Sequence, residues 1–158
     1  HQLEKELGVT IVHELHRGRM TFSSNTTMKL LDKDPNIMFC ADFSHWCCVH
    51  ESYLHDQGDR VERAIQNTRH VHARVGYGEG PQVTYPFAPE WKDALDAHVS
   101  WWDRIVEVRK EAGAELLTIT PEFGPFPYMP SLPYTKQAVV DLYQTNLDMK
   151  NFLKDRFQ

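Results

Sequence analysis

Leu117-Thr118-Ile119-Thr120-Pro121-Glu122-Phe123-Gly124-Pro125-Phe126-Pro127-Tyr128-Met129-Pro130 is the stretch on which the fold turns. A short β-branched, apolar run stops at a carboxylate, Glu122, and breaks into glycine and prolines. A buried parallel strand has this form, with an apolar body followed by a loop at its carboxyl end. Three other segments repeat it. Residues 9–14 end at Glu14, residues 37–42 end at Asp42, and residues 70–74 carry His70 and His72.

Working outward, strands are expected at 9–12, 37–41, 71–75 and 116–120. Helical patterns fill the gaps: residues 25–31 behind a Ser24 or Asn25 cap, residues 58–67, and residues 91–112. In the last of these, Trp91, Leu95, His98, Trp102, Ile105 and Val106 recur at helical spacing, and Gly113 closes the helix. Residues 135–157 read as a final helix burying Val139, Leu142, Tyr143, Leu147 and Leu153. Residues 76–89, rich in Gly and Pro, read as a long loop of the kind that covers a site. The strand–helix alternation predicts an α/β fold, a parallel sheet covered by helices. Four such units make half of a (β/α)8 TIM barrel or a small open sheet. In both, ligands bind at the carboxyl ends of the strands.

The 158 residues suffice for a single domain spanning 1–158 with a true core. A net charge of −5 without a dense Lys/Arg block argues against extended nucleic-acid binding. No apolar run approaches the ~20 residues of a membrane span, so no membrane partner is expected. Cys40, Cys47 and Cys48 form no C-x-x-C pair and read as small buried hydrophobes in a reducing cytoplasm. Residues 1–8 read as the end of a helix capped by Gly8, which leaves open that the sequence is part of a longer chain.

Strand ends bearing Glu, Asp, His and Glu suit a divalent cation. Three carboxylates and one imidazole favour Mn²⁺, Mg²⁺ or Co²⁺ over Zn²⁺. Alternation places His70, His72 and Arg74 on one face of their strand. Arg74 is either a bidentate clamp on a substrate oxygen or a structural partner of Glu14 or Glu122. His45, three residues after Asp42, is a candidate substrate contact, and His16 and Arg17 are weaker ones. His13, His50, His55 and His98 read as structural, and Trp101 and Trp102 as core.

The ordered set Val-His-Glu-Leu-His-Arg-Gly-Arg (12–19), Ala-Asp-Phe-Ser-His-Trp (41–46), His-Val-His-Ala-Arg-Val-Gly-Tyr (70–77) and Thr-Pro-Glu-Phe-Gly-Pro-Phe-Pro-Tyr (120–128) resembles the xylose isomerase-like TIM-barrel superfamily. Within it, the chain looks most like bacterial sugar phosphate isomerases/epimerases. The resemblance implies strands five to eight of a barrel whose N-terminal half is absent from this sequence. The partner would then be that half or a second copy of the chain. Ketose 3-epimerases of the superfamily hold one divalent metal with Glu, Asp, His and Glu, which implies Glu14, Asp42, His72 and Glu122, with His70 as an alternative ligand. The Asp-x-x-His pattern implies a substrate-side role for His45. Arg74 departs from the epimerase pattern, where the substrate arginine lies further beyond the histidine.

The expected chemistry is isomerisation or epimerisation of a small sugar or sugar phosphate through a metal-stabilised enediolate, with Glu14 and Glu122 moving the proton. The competing expectations are a metal-dependent hydrolase or dehydratase on the same barrel and a non-catalytic carbohydrate-binding barrel.

Overall fold

The computed structural model describes residues 2–157. The chain runs α1 (Gln2–Leu7), β1 (Val12–Glu14), α2 (Ser24–Lys33), β2 (Met38–Ala41), α3 (Phe43–His50), α4 (Gly58–Gln66), β3 (Thr68–His72), α5 (Lys92–Glu111), β4 (Thr118–Thr120) and α6 (Leu142–Phe157), with a 3-10 turn at Pro89–Trp91. The four strands form one sheet in the order β1-β2-β3-β4, and every pair is parallel. The α/β expectation holds: helices connect successive strands of a wholly parallel sheet. None of the described helices is long and apolar enough to cross a membrane.

Alternation splits the sheet into two unlike faces. Phe39, Ala41 and Val71 lie under the helices and are fully buried. Against them pack Val61, Ala64 and Ile65 of α4, and Ala94, His98, Trp102, Ile105 and Val108 of α5, each set at the three-to-four spacing of one helix side. Each large apolar chain so buried contributes about 1.5–3 kcal/mol. The opposite face is only half covered. Thr118 and Thr120 are exposed, Val12, Glu14, His70 and His72 are partly accessible, and Cys40 is buried.

Local chemistry sets the boundaries. Ser23 caps α2 by accepting the Thr26 N–H, one residue ahead of the expected cap. Gly8 and Gly113 follow α1 and α5 in the left-handed region, at φ +65° and +68°. The expected helix over 1–8 is α1, apart from His1, which lies outside the described residues.

Several expectations need correction. The first strand is Val12–Glu14 rather than 9–12, and the third is Thr68–His72 rather than 71–75. Helix α3 was not expected, because its residues Phe43–Cys47 are all buried and show no amphipathic period. Helix α6 starts at Leu142, not at 135. Residues 131–138 instead close on themselves through a Ser131–Ala138 bridge and a Leu132 N–H to Gln137 C=O hydrogen bond of 2.8 Å. Val139 and Tyr143 are consequently exposed, and Thr145, Met149 and Leu153 form the buried side. Cys48 is only partly buried. Residues 76–88 do form a long loop, and it is tightly packed. Val83 is fully buried and its N–H bonds the Val75 carbonyl at 2.9 Å, and Gly76 sits so tightly on Ser44 that an added Cβ would lie 2.7 Å from its carbonyl oxygen.

Candidate functional site

The parallel sheet brings four carboxyl ends to one rim. Glu14 is the last residue of β1, Asp42 follows β2, His72 is the last residue of β3, and Glu122 lies two residues past β4. One ligand atom from each lies within 4.8 Å of the others. The expected quartet is therefore a spatial cluster, assembled from all four strands.

His72 stands at its centre. Its Nδ1 is 3.3 Å from Glu14 Oε1 and 2.8 Å from Glu122 Oε2. Yet His72 Nδ1 and Glu122 Oε2 are both inaccessible and make no hydrogen bond. Two buried polar atoms this close, but not aligned on each other, are what a shared cation would satisfy. Burial works against the charged His72 ring, but contact with Cys40, Glu122 and Glu14 outweighs it and pushes its pKa up to about 12. Burial keeps Cys40 itself a neutral thiol, so the two carboxylates are the real support for an imidazolium. Glu14 is lowered by His72 first of all. Glu122 is raised by burial, but His72 and Arg74 bring it below the usual carboxylate range.

Asp42 is fully buried and serves twice. As the N-cap of α3 its Oδ1 accepts the Ser44 N–H at 3.2 Å and the Ser44 hydroxyl, while Oδ2 accepts from Arg74 at 2.5 Å. Burial pushes its carboxyl up, to about 6, against the pull of Arg74 and Ser44. Arg74 also reaches Glu122 Oε2 at 3.3 Å and donates to His45 Nε2 at 2.9 Å. Of the two readings of Arg74, the structure displays the pairing one, with Asp42 and Glu122 and not with Glu14. Three carboxylates facing one guanidinium leave two negative charges when His72 is neutral, the charge a divalent cation cancels.

His45 is buried, and burial followed by the Arg74 charge drives its pKa down to about 2. It is thus neutral, with Nε2 accepting from Arg74 and Nδ1 the protonated nitrogen, which has no partner. His16 packs on it with ring centroids 3.9 Å apart, and burial lowers its pKa too. His16 Nδ1 accepts the Gly18 N–H at 2.9 Å, which leaves Nε2 to donate toward Tyr128 OH at 3.4 Å. His70 stands apart from the quartet, with Nδ1 2.6 Å from Thr118 Oγ1. His98, read as structural, is fully buried and receives the Gly76 N–H.

Two contributors escaped the sequence reading. Ser44 was legible in principle, since Asp-x-Ser ahead of a helix is an N-cap pattern. Tyr128, whose ring lies 4.6 Å from the Arg74 guanidinium carbon and 5.6 Å from that of Arg17, left no local signal. Comparison with family models, curated proteins and solved structures yields no match for this chain.

Proposed function

We propose that this chain is the catalytic half of a divalent-metal-dependent isomerase or epimerase acting on a small sugar or sugar phosphate. The observation that carries the reading is the quartet Glu14, Asp42, His72 and Glu122, with His72 Nδ1 and Glu122 Oε2 buried, 2.8 Å apart and without a hydrogen bond. Its hard, oxygen-rich donor set favours Mn²⁺, Mg²⁺ or Co²⁺. Such an ion, when bound, supplies Lewis-acid polarisation of a carbonyl and so acidifies the neighbouring C–H.

The chain's own residues account for the rest. Glu14 and Glu122 flank His72 from opposite edges of the sheet, so one carboxylate removes a proton and the other returns it. Arg74 fixes Asp42 and Glu122 from behind. The neutral His16 ring walls the site, and the His45 ring packed behind it is sealed from solvent and accepts from Arg74, so it supports the wall and does not reach substrate. The sequential parallel order, the ligands at strand ends and the half-covered face support reading the sheet as strands five to eight of a (β/α)8 barrel, completed by the other half or by a second copy. The three unpaired cysteines suit the reducing cytoplasm.

The test is proton exchange. Incubated with Mn²⁺ and a panel of ketoses and ketose phosphates in heavy water, the completed protein should incorporate deuterium beside the carbonyl of at least one of them. Mn²⁺ binding with no exchange on any would reject the isomerase in favour of the hydrolase, dehydratase or binding readings.

A further inference from the structure

The half-covered sheet face carries a second cluster, which shares His72 with the quartet and adds Cys40 and His70, two residues the proposed isomerase chemistry does not use. Cys40, only 3% exposed, is the register partner of Glu14 on one side and of His70 on the other. One donor atom each from Cys40, His70 and His72 lies within 4.8 Å of the other two. This donor set is chemically unlike the quartet above it. A thiol and two imidazoles are soft to borderline donors, the set that selects zinc over manganese or magnesium.

His70 is already held as a metal-ligating histidine is held. Its Nδ1 lies 2.6 Å from Thr118 Oγ1, which fixes the ring. The other nitrogen, Nε2, has only a long 3.3 Å contact with Thr120 Oγ1. The His72 ring stands edge-on to it, with centroids 5.2 Å apart. Thr118 and Thr120, which flank the His70 ring, are exposed.

We propose that Cys40, His70 and His72 form a second metal site, selective for zinc, that shares His72 with the carboxylate quartet. On binding, the Cys40 thiol releases its proton to solvent, a sulfur–metal coordinate bond forms, and water fills the remaining position. The site does not depend on the isomerase reading, because it uses none of the three carboxylates.

The test is a Co²⁺ titration of the reduced full chain followed by absorbance. The site predicts a thiolate-to-cobalt charge-transfer band in the near ultraviolet that Zn²⁺ abolishes. The band should be lost in Cys40→Ser and in Cys40→Ala, two variants that guard against one failing to fold, with circular dichroism as the check. It should persist in Cys47→Ser/Cys48→Ser, and also in Glu14→Ala/Glu122→Ala, which disables only the quartet. No band in the wild type, or a band that survives in folded Cys40→Ser, would overturn the proposal.

Discussion

Arg74 and Asp42 show how much one buried pair decides. Both are sealed from solvent, and their 2.5 Å contact is one of the few things that permits a carboxylate there at all. Removing one partner strands the other charge, at a cost of about 3–5 kcal/mol. Arg74→Met should therefore lower stability by about that much in urea melts. Adding Asp42→Asn to it should recover most of the loss. A fully stable Arg74→Met would show that the pair is not structural. At this scale the sequence was partly legible. Apolar runs pointed to Glu14, Asp42 and Glu122, while His72 was preferred to His70 on the resemblance alone. It could not choose the partner of Arg74, because that depends on which side chain the neighbouring strand places opposite it. Cys40 is buried, as its reading had it, but its place beside His70 was not legible, because parallel register and not local spacing sets it.

At the scale of elements, α5 and the loop after β3 are tied to the site through one histidine. His98 donates from Nδ1 to the Ala94 carbonyl and accepts the Gly76 N–H at Nε2, which requires a neutral ring. Burial holds its pKa down at about 4, against an ordinary 6.5. The unfolded chain therefore takes up the proton first. The stabilisation is whole above pH ~6.5 and drains away as the pH falls to about 4, a loss of about 3 kcal/mol. The pH dependence of unfolding over that window should be shallower in His98→Gln than in the wild type; identical slopes would contradict the assignment. Gly76→Ala should destabilise by roughly 1–3 kcal/mol, since its Cβ meets the Ser44 backbone, which has little freedom to retreat. Denaturant midpoints would read this directly. Helices with one buried side, such as α4 and α5, were legible from their period. Helix α3 was not, being buried almost all round, and α6 was extended too far because Val139 and Val140 prolonged an apolar pattern through a bridged turn.

The whole molecule is a sheet with one finished face. β1 and β4 are its edges, and the face opposite the helices presents Thr118, Thr120, His70 and Glu14 to solvent. Unpaired edges of this kind invite another sheet. The chain alone should therefore melt at a temperature that rises with its own concentration, as association stabilises the folded state. A concentration-independent melt of a monomer would contradict the half-barrel reading. The quartet is also a property of the whole sheet, because it draws one residue from each of four strand ends. The measurement that tests it most directly is Mn²⁺ binding by equilibrium dialysis. It compares the full chain with Glu14→Ala/Glu122→Ala, whose substituted side chains are accessible enough to leave the fold intact. The wild type should bind one Mn²⁺ tightly per chain and the variant none. No Mn²⁺ affinity in the wild type, or equal affinity in both, would contradict it.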